Sequence, residues 1–432
     1  MCKPMNSQRQ KFDVVVIGGG PAGLAAAATA TESGACVAIV DDNPGLGGQI
    51  WRGEQRKAST PEAADWLRRV QAAKVEFIPG ARVYDQPEPG VLLAETFDGI
   101  LELGYRKLIL ATGARERFLP FPGWTLPNVA GAGGLQALVK AGLPIEGKNV
   151  VVAGTGPLLL AVAAYLRKRG AQVPLIAEQA PQSKLLSFGL GLWRSPGKII
   201  QAIQLKRELA GIPHLTSCWP VAANGNQQLQ SITLRRGQKT WEVECDYLAC
   251  GFHLLPNTEL AVFFGCALRN GVVQVDAFQQ TTIPDIYCAG ESTGIGGLDV
   301  SLVEGQIAGY AATGQQEKAR ALFAERDKHQ RFADLLNQTF ALREELKQLP
   351  QADTIVCRCE DVSFARLQNQ PAWRAAKLHT RCGMGPCQGR ICGGAIEFLL
   401  GWPAESVRPP VFPVKVGSLI QSGAKTAATG QS

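Results

Sequence analysis

The chain has 432 residues, 46% of them hydrophobic and 19% charged, with 48 glycines, 26 prolines and 12 cysteines. At roughly 100 to 200 residues per domain this is two or three domains with ample core, which excludes a disulfide-stapled miniature, a disordered chain and a collagenous one. The net charge of +7 is diffuse and lacks a run of five basic residues, so no nucleic-acid partner is expected.

The start, Met1 to Asp13, is polar and does not read as a signal segment, and no apolar run reaches the roughly 18 residues that span a bilayer. A cytoplasmic protein is expected, with a peripheral place on the inner face of the membrane open to it through partners. Phe12 to Ile17 is a β-branched run that ends in Gly18-Gly19-Gly20-Pro21-Ala22-Gly23, after which an alanine-rich stretch with helical character reaches Ser33. A second strand, Cys36 to Val40, ends in Asp41-Asp42. Strand, glycine turn, helix and strand open a doubly wound α/β domain. In such a turn Gly18 permits the tight bend, Gly20 lets backbone approach a pyrophosphate, and Gly23 lets helix and strand pack closely. The helix N-terminus offers amides and positive dipole to phosphates, and Asp41 can accept ribose hydroxyls. Nucleotide binding is predicted here.

A second copy starts at Asn149, with strand Val150 to Ala153, turn Gly154-Thr155-Gly156, an apolar helix to about Gly170 and a strand ending at Glu178. Leu159 stands where the third glycine belongs, and Pro174 interrupts the last strand, favouring an edge or a strand start. This damaged fingerprint admits a second nucleotide or a vestigial fold, and Glu178 would favour NAD over NADP because an acid repels a 2′-phosphate. The first unit does not close on itself: strand Lys107 to Leu110 ends in Ala111-Thr112-Gly113, and a matching segment returns only at Asp285 to Gly290. The second unit is therefore expected to be inserted in the first. The charged stretch Gln315 to Gln348 reads as one or two exposed connector helices ended by Pro350.

Between Asp353 and Ser432 nine basic residues face five acidic ones, so four of the seven net charges lie in the last fifth of the chain. The same stretch holds Cys357, Cys359, Cys382, Cys387 and Cys392. In a reducing cytosol this reads as metal binding. Cys357 and Cys359 project to one side of an extended segment, and the glycines among the later cysteines free the backbone to wrap a cluster. Four thiolates suit an iron–sulfur cluster or structural zinc, with Arg358, Arg381 and Arg390 able to offset the negative charge. Cys245 and Cys250 have a redox-disulfide spacing but read as core thiols, and His253 reads as a plain loop histidine. No catalytic residue can be named, since no triad, paired carboxylates or phosphate-transfer loop stands out. From Gly417 on the chain is small and polar enough to fray.

Val37 to Gln49 (VAIVDDNPGLGGQ) resembles the flavin-binding segment of two-dinucleotide-domain flavoproteins, Ala111-Thr112-Gly113 resembles the turn closing their FAD domain, and Ile286 to Gly290 with Glu291 resembles the late motif whose acid binds the ribityl chain. VCRCEDV followed by TRCGMGPCQGRICG is similar to the bacterioferritin-associated-ferredoxin-like (BFD-like) [2Fe-2S] module. With LACGFHLLPNTELA at Leu248 to Ala261, the chain resembles the A, or alpha, subunits of opine oxidase, hydrogen cyanide synthase and D-hydroxyproline dehydrogenase, which are pyridine-nucleotide-disulfide-oxidoreductase-like flavoproteins.

That resemblance implies two Rossmann-like domains, the second inserted in the first, plus a small C-terminal BFD-like module. The expected boundaries are 1–120 with 255–315 for FAD, 121–254 for the degenerate second domain, 316–350 for the connector, 351–410 for the cluster and 411–432 for a tail. FAD is expected at Gly18, Gly20, Pro21, Ala22, Gly23, Asp41, Gly48, Gln49, Ala111, Thr112, Gly113, Gly290 and Glu291. The implied cluster ligands are Cys357, Cys359, Cys387 and Cys392, with Cys382 a neighbour that does not ligate. The implied activity is electron transfer within a heteromeric FAD-dependent dehydrogenase of secondary amines or amino acids. Its partners would be a substrate-oxidising flavoprotein of the B, or beta, type, in some complexes a small ferredoxin-like protein, and a respiratory or dye acceptor. Two alternatives stay open: a self-sufficient NAD(P)H-dependent reductase of a ferredoxin-like acceptor, and a non-enzymatic scaffold.

Overall fold

The structure, a computed structural model, describes residues 9–53, 60–194, 196–403 and 407–421. Two compact units divide the chain: Met1–Ala114 with Pro256–Ala333 and Ser406–Ser432, and Arg115–Leu255 with Asp334–Glu405.

In the first unit, Arg9–Ile17 runs at the centre of a sheet ordered Glu76–Pro79, Val37–Asp41, Arg9–Ile17, Ile100–Leu110, Val91–Glu95, Arg82–Glu88. Ile286–Cys288 adds to Ile100–Leu110 in parallel, with Cys288 opposite Leu110. Val14, Val15 and Val16 are buried, as a parallel strand covered on both faces requires. Register aligns Ile17 with both Val40 and Leu110. The carboxyl ends of four parallel strands therefore finish together, at Gly18, Asp41, Ala111 and Ala289, which is where ligands bind in open α/β sheets. This is the expected return of the first unit after the insertion.

Helix Pro21–Thr31 begins with proline in its first turn, where no amide is needed, and is almost wholly buried. It packs on helix Gly297–Ala312 through residues that lack a side chain. A Cβ on Gly305 would lie 2.2 Å from the Ala22 carbonyl, and one on Gly309 would lie 2.3 Å from that of Ala26. At the chain's other end the Val411 amide donates to the Tyr84 carbonyl at 2.9 Å. Segment 416–421 is helical, and the buried Ser418 donates its hydroxyl to Glu95 at 2.7 Å. The chain thus stays tied down past Gly417 rather than fraying there, because Glu95 holds it. The rest of the expected tail lies outside the described residues.

The second unit carries a parallel sheet ordered His214–Thr216, Ile176–Glu178, Val150–Thr155, Tyr247–Phe252, Val129–Gly131. Pro174 precedes the strand Ile176–Glu178, which has neighbours on both sides, so the proline marks a strand start and not an edge. An antiparallel sheet of Cys218–Asn224, Ser231–Arg236 and Lys239–Glu244 packs beside it. Leu346 and Leu349 enter the same core as Trp219. The cysteine-rich segment builds its own small core from Val356, Val362, Leu367, Trp373 and Ile396. It is fastened within this unit by Trp124 Nε1 on the Ile355 carbonyl (2.6 Å) and Arg115 Nε on the Arg390 carbonyl (3.0 Å). Gly394 completes the seat, since a Cβ there would lie 2.1 Å from Leu255 Cδ1.

Candidate cofactor sites

At the first glycine turn, Gly18 has φ +109°, and a Cβ on it would stand 2.2 Å from the Ala111 carbonyl oxygen. A Cβ on Gly23 would stand 1.8 Å from the Gly18 carbonyl oxygen. Both positions therefore require glycine. Gly48 brings its backbone to Gly20, with room for a Cβ only 2.9 Å from Gly20 Cα. Asp41 is 8% exposed. Its Oδ2 accepts the Gly19 amide at 2.6 Å, and its Oδ1 accepts the Asn43 amide and Nδ2, each at 2.8 Å. Pro21 and Ala22 open the helix beside it, and Gln49 Oε1 accepts Arg52 Nη2 at 2.9 Å. The acid is thus fixed at the strand end, beside amides able to receive phosphate oxygens.

The other side of this cradle is Ala111-Thr112-Gly113. Thr112 Oγ1 lies 2.6 Å from the Asn257 carbonyl and 2.8 Å from Ser292 Oγ, and Asn257 Nδ2 donates to the Thr112 carbonyl at 2.9 Å. Gly290, at φ +81°, sits so close that its Cβ would be 2.8 Å from that of Ala22. Glu291 follows it, its carboxyl pushed up by burial. Glu304, which the sequence reading missed, holds this corner: its Oε2 accepts the Gly290 amide at 2.9 Å and Thr293 Oγ1 at 2.7 Å. Burial pushes the Glu304 carboxyl up to about 7 against those two donors. Its signal in the sequence was the one acid beyond the first turn of an apolar helix. Asn257 and Ser292 carried no comparable signal. The glycine approaches and the held acid fit a dinucleotide.

At the second turn, Gly154 has φ +129° and a Cβ on it would lie 1.8 Å from the Gly251 carbonyl oxygen. Leu159 is buried in the core of this unit. Both oxygens of Glu178, which is 2% exposed, are engaged internally. Oε2 accepts the Gly156 amide at 2.7 Å, while Oε1 accepts the Ala180 amide at 2.8 Å and the Thr155 hydroxyl at 2.9 Å. Burial nevertheless pushes its carboxyl up to about 7. The chain itself then closes the turn. Thr155 Oγ1 is 3.3 Å from the Phe340 carbonyl, and Gln179 Nε2 reaches Thr155 Oγ1 at 2.9 Å and the Ala341 carbonyl at 3.2 Å. Phe340 is buried, its ring edge-on to Phe188 at 5.5 Å.

In the cysteine module, Cys357 ends the strand Ile355–Cys357 and Cys392 opens the helix Cys392–Leu400. The Sγ atoms of Cys357, Cys382 and Cys392 all lie within 4.8 Å of one another, and all three residues are buried. Cys359, which is exposed, has its Sγ 3.5 Å from that of Cys387. Of the expected ligands, Cys357 thus stands with Cys392 and Cys359 with Cys387, and the buried Cys382 joins the first pair. The loop depends on glycine: a Cβ on Gly385 would be 2.3 Å from that of Cys359, and one on Gly383, at φ +78°, would be 2.9 Å from the Trp373 ring. Hydrogen bonds from Cys382 and Cys392 hold the Cys357 thiol well below its ordinary range, against the effect of burial. Arg381 is engaged with Glu360 at 2.7 Å, and Arg390 Nη1 lies 3.2 Å from the Cys387 carbonyl. An all-thiol donor set of this kind fits an iron–sulfur cluster or zinc.

Residues 12–315 match the family described as Pyr_redox_2, pyridine nucleotide-disulphide oxidoreductase. The chain belongs to this oxidoreductase family. Within the pyridine nucleotide-disulphide oxidoreductases it is similar to the HcnB subunit of hydrogen cyanide synthase from Pseudomonas aeruginosa, 30% identical over 422 residues that cover 88% of this chain and 90% of the relative. It is likewise similar to the A subunit of opine oxidase from Rhizobium meliloti, 28% identical over 452 residues covering 94% and 98%. Among solved structures, L-proline dehydrogenase from P. horikoshii shares the fold with a TM-score of 0.66 at 20% identity, covering 96% of this chain and 81% of that one. Thioredoxin reductase from T. acidophilum does so with a TM-score of 0.56 at 20% identity, covering 71% and 99%. This member of the family does not place Cys245 and Cys250 as a working dithiol: both are buried and both thiols are pushed up by burial, which keeps them protonated. His253, with φ +72°, points Nε2 to Asn337 Oδ1 at 3.1 Å, and burial disfavours its charged form.

Proposed function

We propose that this oxidoreductase is the electron-carrying flavoprotein and iron–sulfur subunit of a heteromeric dehydrogenase. The complex would oxidise a secondary amine or amino acid of the opine, D-hydroxyproline or glycine class. The observation that carries the reading is the pairing, in one chain, of an intact dinucleotide cradle with a five-thiol module, while the second nucleotide turn is closed by the chain's own backbone. The names of the relatives support it, since HcnB and the opine oxidase relative are both subunits of larger enzymes.

On this reading FAD is held by Gly18, Gly20, Pro21, Ala22, Gly23, Asp41, Gly48, Gln49, Ala111 to Gly113, Gly290 and Glu291. A [2Fe-2S] cluster is held by Cys357, Cys359, Cys387 and Cys392. FAD accepts an electron pair and the cluster passes single electrons, which suits delivery to a respiratory or dye acceptor. The residues of this chain bind and orient: Asp41 would hold the ribose, the Gly20, Ala22 and Gly23 amides would meet the phosphates, and Glu304 locks the backbone at Gly290. Cys359, the exposed one of the four proposed ligands, would bring the edge of such a cluster nearest to solvent. The domain assignment follows, with 1–120 and 255–315 for FAD, 121–254 for the degenerate fold, 316–350 as connector, 351–410 for the cluster and 411–432 as tail. A self-sufficient NAD(P)H-dependent reductase is disfavoured by the closed second turn, and a scaffold is disfavoured by the converging thiols.

Oxidation of a C–N bond needs a carbon held against a flavin with the charged groups of the substrate paired. A separate flavoprotein partner of the beta type is expected to supply that pocket. Expressing the chain alone and with its genomic neighbours, then assaying dye reduction with opines, proline derivatives and glycine, tests the proposal. Turnover is expected only in the co-expressed sample; equal turnover by the lone chain would refute it.

A further inference from the structure

Helix Gln182–Gly191 in the second unit has no buried residue, although six of its ten residues are Leu, Phe or Gly. Leu186 and Leu190, one turn apart, are 64% and 77% exposed; Trp193 follows at 68%. In the next helix, Pro196–Glu208, Ile200 and Ile203 are exposed on the face opposite Leu205, which packs into the core. Two successive helices thus turn an apolar stripe to solvent. Scattered single exposed apolar residues are ordinary, but five large ones within 18 residues form a surface that asks for a partner.

The charge of the same segment says what that partner is. From Gln182 to Arg207 the sequence contains Lys184, Arg194, Lys198, Lys206 and Arg207 and no Asp or Glu. Apolar side chains including a tryptophan, flanked by lysine and arginine and free of acids, match the boundary between acyl chains and anionic headgroups. Among the described residues no helix is long and apolar enough to cross a membrane. The segment can therefore lie on a bilayer but does not span one.

We propose that the segment from Gln182 to Arg207 is a docking surface for an anionic lipid bilayer, with Leu186, Leu190, Trp193, Ile200 and Ile203 entering the headgroup boundary and the exposed Lys184, Lys206 and Arg207 meeting phosphate. The inference is independent of the flavin and cluster assignment, because none of these residues is among those proposed to hold either group.

Sedimentation of the full chain with vesicles of phosphatidylglycerol and phosphatidylcholine, against pure phosphatidylcholine, tests it. Binding is expected only to the anionic vesicles and should fall as salt rises, a readout that needs no variant. Leu190→Ser with Trp193→Ser, and separately Lys206→Glu with Arg207→Glu, should each lower partitioning roughly tenfold or more. All four side chains are exposed, so thermal unfolding and cofactor content should stay unchanged. Three results overturn the proposal: no binding to anionic vesicles at low salt; a dimer of this chain that the Leu190→Ser, Trp193→Ser variant returns to monomer; or loss of a co-purifying partner protein in that variant with lipid binding intact.

Discussion

The carbonyl of Phe340 lies 3.3 Å from the hydroxyl of Thr155, on the mouth of the second glycine turn. The two turns are otherwise built alike. Asp41 accepts the Gly19 amide in one and Glu178 accepts the Gly156 amide in the other, at 2.6 and 2.7 Å. They differ in what covers the acid. In the second turn Thr155 and Gln179, which flank the acid, are bonded to backbone that arrives from 340–341. NADH under anaerobic conditions is therefore expected not to bleach the flavin band at a useful rate. Rapid bleaching at micromolar NADH would show that the strap opens readily and would promote the reductase reading.

The buried Glu178 also sets a pH dependence. Its carboxyl is raised from 4.5 to about 7 in the folded protein, so the folded state binds the proton more tightly than the unfolded one. Stability contributed by this group is then present in full below about pH 4.5 and is lost as pH rises through about 7. Glu178→Gln, which stays neutral, should flatten the fall in unfolding free energy between those limits by ~1–3 kcal/mol. Denaturant melts at pH 5 and pH 8 check this, and an unchanged slope would locate the dependence elsewhere, with Glu304 the next candidate.

The first turn was legible in the sequence because its glycines, strand and acid each answer a steric or hydrogen-bonding demand that spacing alone reveals. Leu159 marked the second turn as damaged, and the structure buries that side chain in the core. What closes the turn was not legible, because Thr155 and Phe340 are 185 residues apart and the bond is made by a carbonyl, which every residue has. Glu304 escaped for a related reason: the helix pattern marks it as the one acid beyond the first turn without saying which amide it will meet. Cys382 was visible as a fifth thiol, but spacing could not tell that it would be buried against Cys357 and Cys392.

A Cβ at position 23 has nowhere to go, since the Gly18 carbonyl oxygen is 1.8 Å from its place and belongs to backbone fixed by the sheet. Gly23→Ala should lose ~1–3 kcal/mol of stability, and it should retain less than roughly a tenth of the bound flavin as strand and helix separate at the phosphate site. Absorbance of cofactor released by denaturation measures this directly. Gly53→Ala is a control, because its glycine meets nothing within 4 Å, although its φ of +85° adds modest backbone strain. Full flavin retention in Gly23→Ala would move the flavin away from this cradle.

The cysteines give the sharpest outcome. Two thiolates on one tetrahedral metal at ~2.3 Å stand roughly 3.8 Å apart, and Cys359 and Cys387 already stand at 3.5 Å. Cys357 and Cys392, within 4.8 Å, can supply the second pair. Single substitution of any of these four by Ala should remove iron and abolish the paramagnetic signal of the reduced cluster, because an iron left with one thiolate is open to solvent and loss. Cys382→Ala should keep the iron while altering the line shape, since a buried thiol beside two ligands changes their hydrogen bonding. Loss of iron in Cys382→Ala together with retention in Cys359→Ala would reassign the ligand set to the buried three, and one zinc per chain without iron would overturn the cluster.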